Sequence, residues 1–131
     1  MPFVVTIDAT EPSLVVTASG PAGLSELSGL VSLIAEVTTR QRLRCALVDL
    51  GGVAPTLSFT DHLQFGALAS SLLNRLTTVA VVVPPGYIDA PAARAAQLAG
   101  LNVETFLERE EARRFLEHAA NGGSFSQRQA G

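Results

Sequence analysis

Two segments of this chain are apolar on both faces of an extended strand. Residues 43–50 carry only Arg44 and Asp49 as charges, and residues 79–83 (VAVVV) carry none. A strand with one wet face alternates apolar and polar side chains; a strand covered by helices on both sides need not. Two such strands, separated by a helical pattern, predict a parallel crossover and an α/β domain.

The flanking pattern completes the fold. Residues 3–8 (FVVTID) and 14–18 (LVVTA) read as strands joined by a turn at Thr10-Glu11-Pro12-Ser13, an antiparallel hairpin. Ser19-Gly20-Pro21 is expected to end the second strand and open a helix, with proline in its first turn. Leu24, Leu27, Leu30, Val31, Ile34 and Val37 then form one stripe of an amphipathic helix ending near Thr39-Arg40. After the third strand, Gly51-Gly52 reads as a loop. Ser58 and Asp61 match a capping box opening a helix over residues 58–76, although Glu or Gln is the usual partner. Phe65, Leu68, Leu72 and Leu76 give its stripe. Gly66, Ala67, Ala69, Ser70 and Ser71 allow the sheet, another helix or a ligand to approach closely, the sheet being the expected neighbour.

Pro84-Pro85-Gly86 ends the fourth strand. Asp89 is expected to cap a thin, Ala-rich helix over residues 90–98, and Gly100 to close it. Residues 101–106 suit an edge strand. A last helix over residues 108–119 has acids first and basic residues after, complementing its dipole. Asn121-Gly122-Gly123 is expected to stop it. The expected fold class is a single α/β domain of order ββαβαβαβα. Its mixed sheet has about five strands, an N-terminal hairpin followed by parallel strands, with four helices. The domain is expected over residues 1–121, with a flexible C-terminal tail over 122–131.

Composition narrows the function. The net charge is −3 and the pI about 5.3, unlike a basic nucleic-acid surface. All nine basic residues are Arg, and the Arg40, Arg42 and Arg44 group reads as a solvated helix end. Cys45 is the lone cysteine, which leaves no internal disulfide; within an apolar run it reads as a small buried hydrophobe. No secretory leader pattern follows Met1-Pro2, and no apolar run approaches the ~20 residues of a membrane span. A cytoplasmic protein is expected.

The polar residues at the carboxyl ends of the parallel strands are the candidate site, because open α/β sheets place ligands there. They are Asp49, Ser58, Thr60, Asp61, His62, Tyr87 and Asp89, with Gln64 on the same helix. Ser58 and His62 are four apart and invite a Ser-His-Asp reading, but no G-x-S-x-G elbow is present, and capping explains Ser58 and Asp61. No dinucleotide or P-loop glycine pattern occurs, and His62 and His118 stand without metal-ligand spacing. No catalytic set, metal or cofactor is expected. Tyr87, after its Pro-Pro-Gly turn, could cover a pocket.

With these elements in place the chain resembles STAS domains, the sulfate-transporter and anti-sigma-factor-antagonist fold, and most of all the SpoIIAA-like bacterial proteins. The resemblance rests on Val48-Asp49-Leu50-x-x-Val53 and on Val79-Ala80-Val81-Val82. It continues through Gly100, Val103, Phe106, Glu111, Ala112 and Leu116. It implies a non-catalytic regulatory or protein-interaction module, with a protein partner or a homodimer as its complex. The family's phosphorylated serine falls at Ser58, although the Asp before it and the Gly after it are replaced by Leu57 and Phe59. The alternative is a binding protein for a small molecule or lipid, with an apolar pocket beside the second helix.

Overall fold

The computed structural model describes residues 2–9, 13–88 and 91–130, and their side chains up to residue 119. The expected turn at Thr10-Glu11-Pro12 and the Asp89 cap therefore lie outside the described residues. The elements run β1 (Val4–Asp8), β2 (Ser13–Ala22), α1 (Leu24–Gln41), β3 (Cys45–Pro55), α2 (Phe59–Leu72), β4 (Thr78–Val82), α3 (Pro91–Leu98), β5 (Val103–Phe106) and α4 (Arg109–Ala130). This is the expected order. The strands form one sheet in sequence order; β1 is antiparallel to β2, and every later pair is parallel.

The layering follows from that strand order. Crossovers that keep one hand while stepping to the next strand put their helices on one face. Leu27, Leu30, Val31 and Ile34 of α1 and Ala69 and Leu73 of the α2 region join Ala96 of α3 in one core. They pack over Leu14, Val16, Ala46, Val48 and Val79 of the sheet. α4 covers the opposite face: Ala112 and Leu116 pack on Cys45, Leu47, Ala80 and Val82. Alternation along β3 and β4 sends their side chains to the two cores in turn, which is why residues 45–48 and 79–82 are apolar on both faces.

Two expectations about β2 and β3 need correction. Ser19-Gly20-Pro21 does not open a helix, because β2 continues to Ala22 past an irregularity between Thr17 and Ser19. Gly20 takes φ +102°, and a Cβ there would lie 2.3 Å from the Pro2 carbonyl oxygen. Glycine thus carries the strand through a conformation closed to other residues. Pro21 lies past the last β1 pair, Val4 with Ser19, so its missing N–H breaks no ladder on that side. Likewise Gly51-Gly52 is not a loop. β3 runs on to Pro55, pairing Gly52 with Ser19, Val53 with Gly20 and Pro55 with Ala22. The β3–β4 pairing ends at Asp49 with Val82, so β2 and β3 overrun the sheet as a two-stranded ribbon.

The helix ends show their causes. The Glu26 carboxylate accepts from the Gly23 N–H at 2.8 Å before α1, and Arg42 at φ 58° ends that helix in the left-handed conformation. Arg40 of the basic group pairs with Glu36 on the exposed face of α1. α4 continues through the expected stop at Gly122-Gly123. A glycine in a helix interior costs only about 1 kcal/mol relative to alanine, a weak signal against a continuing helix.

Candidate functional site

Ser58 and Asp61 build the start of α2. Ser58 Oγ accepts from the Asp61 N–H, and Asp61 Oδ2 accepts from the Ser58 N–H, both at 3.1 Å. This is a reciprocal capping box with aspartate in the place of glutamate. Thr60 is exposed on the same turn. His62 comes next, and its side chain turns the other way, toward the sheet.

His62 there joins a cavity of about 120 Å³ between α1, α2, α3 and the sheet. Its buried walls include Ile34, Ala69, Leu73 and Val79. The overrunning ribbon supplies Val53 and Pro55, the part of β3 read as loop from the sequence. Among the described residues that line it none is Asp, Glu, Lys or Arg; His62, Tyr87 and Thr105 are the polar ones. Thr105 donates its hydroxyl to the Ile88 carbonyl at 3.0 Å. The buried His62 Nδ1 has no hydrogen-bond partner among the described residues.

Tyr87 closes the solvent end. The Pro84-Pro85-Gly86 turn has Gly86 at φ +91° and brings the Tyr87 N–H to the Pro84 carbonyl at 3.0 Å. The Tyr87 ring then stacks on the His62 imidazole, centroids 6.4 Å apart. Gly66 closes the cavity on the α3 side, where its backbone meets Ala92 and Ala95. The small residues of α2 therefore serve a neighbouring helix, while Ala69 joins the core over the sheet: Ser70 donates to the carbonyl of Ala99, the residue after α3, at 3.1 Å.

Asp49 does not join this group. It lies on the face covered by α4, where Oδ2 accepts from Arg109 at 3.2 Å and Oδ1 from the Gly51 N–H at 2.9 Å. Arg109 also donates to the Thr17 hydroxyl at 3.0 Å, tying the start of α4 to β2 and β3. Among the described residues no side-chain hydrogen bond joins Ser58, His62 and Asp49; Ser58 and His62 share only the backbone bond from the His62 N–H to the Ser58 carbonyl, 3.0 Å. Apart from Asp89, which lies outside the described residues, the candidates fall into three settings: a cap with Thr60 beside it, a cavity end holding His62 and Tyr87, and an ion pair on the opposite face of the sheet. The cavity end was only half visible in sequence. Tyr87 after its turn suggested a cover, but nothing local marked His62 as its partner. Among the described residues no three His, Cys, Asp or Glu side chains gather as a metal-ligand set, and no helix is long and apolar enough to cross a membrane.

Next to this site, Phe59 and Leu63 stand one helical turn apart on α2, 66% and 42% exposed. Sequence periodicity did not single them out, because the apolar stripe it marked begins only at Phe65.

No family model matches the chain, and no curated protein does. Solved structures do. An uncharacterised DUF3478-family protein with a SpoIIAA-like fold, from Shewanella loihica, is 18% identical; the match covers 87% of this chain and 93% of that one, with a TM-score of 0.54. The anti-sigma factor antagonist SpoIIAA in its unphosphorylated form is 11% identical over 88% of this chain and 98% of its own, with a TM-score of 0.51. The Bacillus cell fate determinant SpoIIAA in its phosphorylated form is 11% identical over 86% and 99%, with a TM-score of 0.50. At these identities the likeness is one of architecture. The chain has the SpoIIAA-like fold of the STAS type.

Proposed function

We propose that this chain is a non-catalytic regulatory module that works by docking a protein, either a partner or a second copy of itself, on the N-terminal end of α2. The observation that carries this reading is the exposure of Phe59 and Leu63 on adjacent turns beside a rigid capping box. Apolar side chains grouped on an otherwise polar surface are what protein interfaces desolvate. Thr60, Asp61 and Gln64 supply polar groups around them. SpoIIAA is named as the antagonist of an anti-sigma factor, so a chain of this fold acts on another protein. The module spans residues 1–121 and meets its partner in the cytoplasm. A phosphate on Ser58 would sit at a helix N-terminus, which favours it, and would add charge beside Phe59. Capture of a tagged full chain from its native host, with light scattering of the purified protein, tests the reading. A pure monomer that retains no partner would contradict it.

A second reading has its own observation. The cavity beneath His62 suits a small apolar molecule, because its walls are aliphatic and its volume exceeds what packing requires.

A further inference from the structure

The chemistry of the cavity limits what it can hold. An ion entering it would lose its hydration and meet no counter-charge among the lining residues. That argues against carboxylates, phosphates and ammonium groups. The size argues against long acyl chains. An apolar cavity of roughly 150 Å³ in another protein stays dry and accepts benzene. At about 120 Å³ this one has room for one ring or a short branched chain.

His62 adds a polar requirement. Its Nδ1 is buried at the cavity's solvent end and has no partner among the described residues. A water molecule is a poor candidate for that place, since a buried water needs two to four polar partners. The Thr105 hydroxyl proton is already engaged with Ile88. A ligand hydroxyl answers the need for either tautomer of His62, because it donates to a bare nitrogen and accepts from a protonated one.

We infer that the cavity binds a compact neutral molecule with a single hydroxyl: a phenol or short alcohol whose apolar body lies against Ala69, Val79 and Val81 and whose hydroxyl meets His62 Nδ1. This rests on the cavity reading above and specifies its ligand. Tyr87, stacked on the imidazole, holds the ring in place and covers the bound molecule.

The test titrates the full chain with phenol, benzene and hexanoate, followed by methyl and imidazole 15N NMR. Phenol is expected to bind roughly fivefold more tightly than benzene, the scale of one net hydrogen bond, to shift the His62 Nδ1 resonance and to perturb the Val79 and Val81 methyls. In His62→Phe the preference for phenol disappears; the wild-type 15N shift gives the same answer without a substitution. Equal affinity for phenol and benzene, or hexanoate binding more tightly than phenol, overturns the hydroxyl assignment and leaves the cavity reading standing. No methyl perturbation with any of the three overturns both.

Discussion

The rings of His62 and Tyr87 stack 6.4 Å apart, with planes 27° from parallel, although they belong to different elements, α2 and the turn after β4. The pair joins that turn to the helix and forms the solvent end of an apolar cavity. Tyr87→Ala removes the stacking and is expected to cost about 0.5–1.5 kcal/mol beyond lost burial, read by urea unfolding. It also uncovers the cavity, so phenol should dissociate faster in NMR line-shape analysis. An unchanged unfolding midpoint would show that the rings are in contact without mutual support.

The capping box makes a separable prediction. Ser58→Ala is expected to lower stability by about 1 kcal/mol, whereas Ser58→Asp keeps a good cap and should be nearly neutral. If Ser58→Asp holds its melting temperature and yet loses a captured partner, charge at this position switches docking. If both stability and capture are unchanged, the switch is ruled out.

Two glycines in helices should respond in opposite directions. A Cβ on Gly66 would lie 2.4 Å from the Ala92 carbonyl oxygen and 2.8 Å from Ala95 Cβ, whereas nothing lies within 4 Å of one on Gly29. Gly29→Ala is therefore expected to stabilise by about 0.5–1 kcal/mol through helix propensity. Gly66→Ala must push α3 away and is expected to destabilise by about 1–3 kcal/mol. Chemical denaturation of the two variants side by side checks both signs. A stabilised Gly66→Ala would mean that α3 yields freely.

Arg109 and Asp49 test the other face of the sheet. The Asp49 side chain is 16% exposed and Arg109 about half exposed, so solvent screening discounts the pair. A double-mutant cycle with Arg109→Ala and Asp49→Asn should return a coupling of about 0.5–1 kcal/mol that weakens in high salt. A salt-independent coupling would mean that the contact acts through packing of the arginine stem.

Much of the fold was legible because the signals are local. A doubly apolar strand at residues 79–83, the 3–4 spacing from Leu24 to Val37, and Ser58 with Asp61 each state their structure within a few residues. Gly51-Gly52 was not legible as strand, because the pairing that holds it, Gly52 with Ser19, reaches some thirty positions back along the chain. Gly66 reads as merely small until α3 is laid against it. The site suffered most: Asp49, Ser58 and His62 are near in sequence, but strand alternation sends Asp49 through the sheet. His62 meets Tyr87 through tertiary packing alone.

The central claim is that the chain acts through the exposed end of α2. Its most direct measurement is quantitative capture from the native host with three tagged proteins: wild type, Phe59→Ser/Leu63→Ser, and Leu98→Ser. Leu98 is 80% exposed at the end of α3 and serves as an apolar surface control. The account predicts that one protein, or a second copy of this chain, is retained by wild type and by Leu98→Ser and lost at least tenfold with the double variant. Equal retention by all three would contradict it.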